Sequence, residues 1–256
     1  MKFACVFALL LGLPASLPAV ANDSVSASIN AAVADTSRPA ADTQRDTQRK
    51  PAETLAFAGV TTNGTVIELM PGGGYFTRLL SKAVGAKGHV IALVPAPRPD
   101  APADGPDRTL PIKAIAAESG YANVTLLVQP IRALKLPNGA DLVWTSNNYH
   151  DVKNVSGIDM MAFNKSIFDA LKPGGEYIVI DHDAAADAPA DVTSTLHRVR
   201  ESTVEQEVIA AGFVLDSKSA LLHNTTDKHD LAVFDEAIRG KTDQFILKFK
   251  KPAKVK

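Results

Sequence analysis

A glycine-rich turn between an apolar segment and a helix-like segment constrains this chain more than any other feature of its sequence. Val66–Leu69 has the character of a short buried strand, and residues 75–84 carry apolar side chains at helical spacing. The turn between them contains Pro71, Gly72, Gly73 and Gly74. Glycine has no Cβ and lets a ligand touch the backbone, while the N-terminus of the next helix offers unpaired N–H groups. The turn is therefore predicted to bind a ligand.

A carboxylate stands at the end of the strand that enters this turn. Glu68 is placed to accept a hydrogen bond from an ammonium or hydroxyl group of the ligand. A glycine-rich turn by itself is weak evidence, because such a turn also serves simply to bend a strand into a helix. Both interpretations of the turn stay open until the order of the surrounding elements is considered.

The first 21 residues have the pattern of a secretory signal peptide. A positive start at Lys2 precedes the apolar run Phe3–Leu13, and a small-x-small cleavage site occupies residues 19–21. This run is short for a membrane-spanning helix, although an N-terminal anchor is the alternative. Cys5, the only cysteine, lies within this leader. We therefore expect a periplasmic or secreted protein whose mature chain has no disulfide.

Residues 22–50 are predicted to be a disordered linker, and residues 51–256 a single domain. The linker is rich in Ala, Asp, Ser, Thr and Gln, lacks aromatic residues, and repeats Asp-Thr-Gln-Arg at 42–45 and 46–49. Such a composition buries too little apolar surface to offset the entropy of ordering. The remaining segment of roughly two hundred residues is long enough for one sizeable core.

The overall charge balance excludes some classes of partner. The chain has 27 basic and 28 acidic residues, a net charge of −1, and only 6% aromatic residues. It has no basic stripe, which argues against a nucleic-acid partner. No apolar run after the leader approaches the length of a membrane helix. A small-molecule ligand is therefore expected, and the sequence does not indicate an oligomeric state.

Strand-like and helix-like segments alternate along the domain. Strands are predicted at residues 66–69, 89–94, 124–128, 141–144, 177–181, 213–222 and 245–249, and helices at 53–58, 76–84, 112–118, 159–171 and 193–211. This alternation predicts an α/β fold with a doubly wound, mostly parallel sheet. Ligands of such sheets bind outside the carboxyl ends of the strands, so candidate chemistry is expected there.

Several motifs together resemble class I (Rossmann-like) methyltransferases that depend on S-adenosylmethionine (SAM). They are the turn itself (68–77), Gly-His-Val-Ile-Ala-Leu (88–93), the fourth strand with its loop (140–151), and Ala-Leu-Lys-Pro-Gly-Gly-Glu-Tyr-Ile-Val-Ile-Asp (170–181). The closing strands, including residues 239–245, are similar to a bacterial group of predicted, exported methyltransferases. The resemblance implies a seven-stranded sheet whose last strand is antiparallel.

The resemblance also implies a SAM molecule lying over the glycine turn. The positions implied to contact it are Glu68, Pro71, Gly72, Gly73, Gly74, Gln129 and Asn147. The chain departs from the family pattern at Met70, which replaces a motif glycine, and at residues 92–94, which lack the acidic residue that usually binds the ribose. Gln129 stands in the loop where an aspartate often approaches the adenine. An alternative function is therefore a non-catalytic periplasmic binding protein on a degenerate methyltransferase scaffold.

Histidines near the carboxyl ends of the fourth and fifth strands are the candidate catalytic groups. His150 and Asp151 follow the fourth strand, and His150 is the best candidate for a general base because the pKa of histidine lies near neutrality. The alternative is that His150 caps the following helix or bonds a loop carbonyl. His182 closes the fifth strand and is predicted to contact substrate or stabilise a loop. His197, on the predicted 193–211 helix, is a further candidate. Imidazole and carboxylate are suitable metal ligands, so Asp181-His182-Asp183, with His150 and Asp151 nearby, is an alternative site for a divalent metal. The spacing matches no specific metal motif, so no metal is assigned.

Overall fold

A computed structural model of the chain describes residues 27–98, 102 and 104–253. The α-helices are α1 (Ala27–Val33), α2 (Ala40–Thr43), α3 (Asp46–Arg49), α4 (Pro51–Phe57), α5 (Tyr75–Val84), α6 (Leu110–Ala117), α7 (Tyr149–Lys153), α8 (Met160–Ala170), α9 (Val192–Thr195) and α10 (Glu201–Ala210). The strands are β1 (Thr65–Leu69), β2 (His89–Pro95), β3 (Val124–Gln129), β4 (Ala140–Ser146), β5 (Leu171–His182), β6 (Val214–Ser219) and β7 (Gln244–Lys250).

The strands form one seven-stranded sheet in the order β3-β2-β1-β4-β5-β7-β6. Neighbouring strands from β3 to β5 are parallel, whereas β7 runs antiparallel to both β5 and β6. Strand order reverses between β1 and β4, which brings the carboxyl ends of these two strands together at the sheet centre. The predicted fold class is thereby confirmed, including the antiparallel last strand.

Successive side chains of the central strands point alternately into two hydrophobic cores, one on each face of the sheet. In β1, Val66 belongs to the core covered by α1, α4, α5 and α6, while Ile67 and Leu69 belong to the core covered by α8 and α10. The strands are apolar on both faces because helices cover both. None of the helices in the described residues is long and apolar enough to cross a membrane.

The segment expected to be a disordered linker is folded over its described part. Helix α1 packs Ile29 and Ala32 into the core against α5. The buried Arg38 guanidinium forms a bidentate salt bridge with Asp46, at 2.8 and 2.7 Å. The domain therefore begins no later than Ala27 rather than at residue 51. The composition-based prediction was wrong here because partners from the rest of the domain offset the ordering entropy. The predicted leader, residues 1–21, lies outside the described residues.

The prediction of a single long helix over residues 193–211 is also wrong. The chain forms α9 and α10 with a non-helical linker between them, in which His197 has a left-handed φ of 54°. Val199 forms a parallel bridge with Asp183 just beyond β5. Arg198 holds this connection between α9 and α10. Its side chain is fully buried, whereas in a continuous helix it would lie on the solvent-facing side.

Candidate functional site

A cavity opens at the carboxyl ends of β1 and β4, where strand order reverses. Its volume is about 200 Å³, and it opens to solvent. Its lining comes from the end of β1 with the following turn, from the start of α5, from residues 146–148 after β4, and from two arginines of the N-terminal segment. This volume is below the roughly 300–1,000 Å³ of typical small-molecule sites, as expected for a cleft that is open on one side.

The three glycines of the turn have different roles. A Cβ added at Gly72 or Gly73 would meet no atom within 4 Å, so both positions face open space beside the cavity. A Cβ added at Gly74 would lie 2.1 Å from Cδ1 of Ile115 in α6. Gly74 has a φ of 84° and does not line the cavity, so its role is close helix packing. The predicted ligand contacts at Pro71, Gly72 and Gly73 are therefore placed in the cavity wall, whereas Gly74 is behind it.

Met70 occupies a backbone position that favours glycine. Its φ is 51°, in the left-handed region, and its N–H donates to the Leu93 carbonyl at 2.8 Å. A side chain in this conformation is strained, which explains the glycine that the family pattern has here. The methionine side chain packs instead against the core that contains Ile67 and Leu69.

Glu68 is a buried carboxyl group at the floor of the cavity. Its residue surface is only 3% exposed, and its Oε2 accepts a hydrogen bond from the Thr77 hydroxyl at 2.6 Å. Burial raises the pKa of Glu68 to about 7, against the opposing effects of the Thr77 hydrogen bond and the Arg49 charge. A cationic ligand would favour the ionised form of this carboxyl group.

Two arginines from the segment assigned to a linker reach the cavity, and sequence reasoning missed both. The Arg49 guanidinium lies over the Tyr75 ring at 4.7 Å and over the Phe76 ring at 5.4 Å. Burial lowers the pKa of Arg49. Arg45 lies 4.8 Å from the same Tyr75 ring and is paired with Asp42. The repeated Asp-Thr-Gln-Arg was the available signal, because it spaces the two arginines one helical turn apart.

The loop after β4 supplies polar groups to the opposite wall. Asn147 has a φ of 58°, its N–H donates to the Ile180 carbonyl at 2.8 Å, and its buried side-chain oxygen has no hydrogen-bond partner. Asn148 donates from its side-chain amide to the carbonyls of Met70 and Ser146, at 3.1 and 2.8 Å. The predicted contact at Asn147 thus lies in the cavity wall.

Gln129 does not have the expected role. Its side-chain amide donates to the Lys135 carbonyl at 2.9 Å and accepts from the Lys135 N–H at 2.6 Å. It lies outside the lining of the cavity. Both ends of the amide are committed to holding a loop, so we withdraw Gln129 as a ligand contact.

The candidate catalytic histidines cluster near the carboxyl ends of β4 and β5, and none of them lines the cavity. The ring of His150 lies 5.9 Å from that of His182 and 5.6 Å from that of His197, between ring centroids. His150 donates from Nδ1 to Asp181 at 2.7 Å. Burial opposes protonation of His150, but the charge and hydrogen bond of Asp181 outweigh it and raise the His150 pKa.

His182 has a different environment from its neighbour. Burial lowers the pKa of His182 to about 4, so its imidazole is neutral. Its Nδ1 lies 2.6 Å from the Thr242 hydroxyl. This bond ties the end of β5 to the start of β7, in keeping with the loop-stabilising role considered for His182.

The fold was compared with solved structures and with known families. The chain is similar to a SAM-dependent methyltransferase from Aquifex aeolicus, at 17% identity and a TM-score of 0.55 over 80% of this chain and 97% of that one. A SAM-dependent methyltransferase from Mesorhizobium loti matches at 16% identity and a TM-score of 0.55, over 80% and 99% of the two chains. Fibrillarin from Aeropyrum pernix, with natively bound SAM, matches at 13% and 0.52, over 80% and 76%.

No protein-family model matches the chain, and no curated protein does. At these identities the structural likeness establishes the fold alone. The chain has the Rossmann-like fold of class I methyltransferases, with an open cavity at its topological switch point.

Proposed function

We propose that this protein is a SAM-dependent methyltransferase that acts on a small molecule. One observation carries the proposal: the cavity at the carboxyl end of β1 combines side-chain-free backbone at Gly72 and Gly73 with the buried carboxyl group of Glu68. The structural neighbours with this fold are SAM-dependent methyltransferases, and the fibrillarin neighbour holds SAM. The binding-protein alternative gains no support from these comparisons.

The charges around the cavity suit the amino-acid end of SAM. Glu68 would pair with the ammonium group, and Arg49 and Arg45 would attract the carboxylate. When bound, SAM supplies the methyl group, and the protein contributes mainly by aligning the acceptor with it.

The acceptor would lie beside the histidine cluster. Because Nδ1 of His150 is held by Asp181, its Nε2 is the nitrogen that can accept a proton from a hydroxyl or amine acceptor. Asp151 and His197 lie next to this nitrogen and would contact the same molecule. We assign His150 to activation of the acceptor, with Asp151 in a supporting role.

Isothermal titration of the purified chain with SAM and with its demethylated product tests the proposal. We expect micromolar affinity for both, and at least a tenfold loss in Arg49→Met. Arg132→Met removes an exposed arginine outside the cavity and should bind like the wild type. No heat of binding at millimolar SAM would overturn the assignment.

We also propose that the protein is exported and belongs to the exported bacterial group that its closing strands resemble. The supporting observation is the leader-like sequence of residues 1–21. Intact-mass measurement of the protein from its native host should give a chain beginning at Asn22. A chain that retains the leader would argue against cleavage. We further propose that nucleic acids are not substrates, on the basis of the near-neutral charge balance.

A further inference from the structure

Two consecutive residues and a third that is remote in sequence bring their side chains together near the carboxyl ends of β4 and β5. His150, Asp151 and His197 each place one potential ligand atom within 4.8 Å of the other two. Oδ1 of Asp151 lies 3.4 Å from Nε2 of His150 and 3.4 Å from Nδ1 of His197. No other group of three histidine or carboxylate side chains in the described residues has its ligand atoms this close together.

These separations are those of atoms that share a metal ion. Zinc binds imidazole nitrogen at about 2.0–2.1 Å and carboxylate oxygen at about 2.0–2.2 Å, which puts two tetrahedral ligand atoms about 3.4 Å apart. Both distances to Asp151 already have this value. The third distance, between the ligand nitrogens of the two histidines, is within 4.8 Å.

The hydrogen bonds around the cluster leave the ligand atoms free. His150 donates a hydrogen bond from Nδ1 to the buried Asp181 carboxylate. Its other ring nitrogen, Nε2, faces Asp151 and remains available to bind a metal ion. A carboxylate on the far nitrogen of a histidine is the usual outer-shell partner of a metal ligand, since it fixes the tautomer and orients the ring. His197 Nδ1 is buried and has no hydrogen-bond partner, although Asp151 is near it.

The backbone around His197 is built to hold this position. His197 takes a left-handed φ of 54°, a strained conformation that requires support from its surroundings. Next to it, Arg198 is locked by a bidentate salt bridge to Asp227 at 2.9 and 3.1 Å. The ring of Phe234 packs on the His197 ring at 4.8 Å between centroids.

We propose that His150, Asp151 and His197 bind one divalent first-row transition-metal ion, with Asp181 supporting His150 from behind. Two imidazoles and one carboxylate suit zinc, iron(II) or cobalt(II), and three protein ligands leave at least one coordination position open. His150 is buried, but the side chains of His197 and Asp151 are 32% and 52% exposed, so an open coordination position on their side would be reached from solvent by an oxygen atom of a substrate. The site does not depend on methyl transfer.

Metal binding would replace the role of general base proposed above for His150. With a metal bound, His150 Nε2 is a ligand and is no longer a proton acceptor. The assignment of the cavity to SAM is unaffected, because Glu68 and the glycine turn lie outside the cluster. Cofactor binding and metal binding are therefore measured separately.

Cobalt(II) titration of the tag-free, chelator-treated chain is the decisive experiment. We expect one equivalent to bind with micromolar or tighter affinity and to give visible absorption bands. His197→Asn, which tolerates the left-handed backbone, and Asp151→Asn should each weaken cobalt binding at least a hundredfold. Asp181→Asn should weaken it ten- to a hundredfold, the range for an outer-shell partner. His89→Asn alters a histidine at the opposite end of the sheet and should bind as the wild type does.

Two results would overturn the metal proposal. The first is cobalt binding that is absent or weaker than millimolar, and the second is equal binding by the wild type and His197→Asn. Either would leave the cluster as two histidines at ion-pair distance from Asp151. SAM titration of the same metal-free protein reports on the proposed function independently, since its failure leaves the cobalt result intact.

Discussion

The carboxylate of Asp181 accepts two hydrogen bonds from His150, one from the backbone N–H at 2.9 Å and one from Nδ1 at 2.7 Å. Asp181 is fully buried at the end of β5, and its Oδ1 also accepts the His182 N–H at 2.8 Å. This single side chain joins the start of α7 to the end of β5. The orientation of His150 thus depends on a group that the sequence separates from it by a whole helix and strand.

Asp181→Asn is expected to lower the free energy of unfolding by about 3 kcal/mol, since an amide cannot accept all the bonds that the buried carboxylate accepts. Urea denaturation measures this change. Asp187→Asn alters an exposed aspartate in the following loop and should change stability by less than about 0.5 kcal/mol. Equal stability of the two variants would mean that Asp181 is not a structural tie.

Glu68 makes the stability of the ligand-free protein depend on pH in an unusual direction. Its pKa is raised from 4.5 to about 7, so between these values the native state holds a proton that the unfolded state has lost. Stability conferred by this proton is present below pH 4.5 and is lost as the pH rises to about 7. Relative to Glu68→Gln, the wild type should lose about 3 kcal/mol between pH 5 and pH 8.

Chemical denaturation at a series of pH values, without ligand, checks this expectation. Glu118→Gln, an exposed glutamate, provides the control and should follow the wild type. A wild-type stability that stays constant or rises relative to Glu68→Gln over this range would show that the buried carboxyl group is ionised throughout, because the native state would then hold no extra proton. Addition of SAM should reduce the difference, because a cationic ligand lowers the Glu68 pKa.

Gly73→Ala is expected to weaken SAM binding at least tenfold while leaving the fold intact. The added methyl group meets no protein atom within 4 Å and points into open space beside the cavity, so only a bound ligand would collide with it. Isothermal titration gives the affinity, and thermal unfolding reports on the fold.

Two other glycines serve as comparisons. Gly120→Ala, which meets only the flexible end of Lys82, should bind SAM normally. Gly74→Ala should instead destabilise the fold by roughly 1–3 kcal/mol, because its Cβ would collide with Ile115 and its φ is positive. Normal SAM affinity in Gly73→Ala would place the ligand away from the turn.

Arg198→Met should destabilise the protein by about 3–5 kcal/mol, the usual cost of removing one member of a buried ion pair. The Asp227 carboxylate would lose its bidentate partner, and the carbonyls of Asp183 and Leu231 would lose donors at 2.9 and 3.0 Å. Arg132→Met, at an exposed arginine, is the control for denaturation measurements. A loss below 1 kcal/mol would indicate that the pair is not what holds the linker between α9 and α10.

The sequence by itself determined the sheet and the place of its ligand site. Apolar runs of strand length, glycines at the first turn and alternating helical segments are local patterns, and each depends on residues close together in the chain. Because parallel strands with crossover helices share one carboxyl edge, the cavity position followed from their order. Glu68 and the turn at Gly72 and Gly73 were found in this way.

Only the tertiary structure decided which distant groups complete the site. The segment with Arg45 and Arg49 has too few apolar residues to predict folding, yet it folds because Tyr75, Arg78 and the core on α5 supply its partners. Helical periodicity in residues 193–211 likewise hid the break at His197, which a salt bridge between Arg198 and the remote Asp227 holds in place. Composition and periodicity reflect only the residues of a segment itself. Burial of a charged side chain depends on hydrogen-bond and ion-pair partners that distant parts of the chain supply.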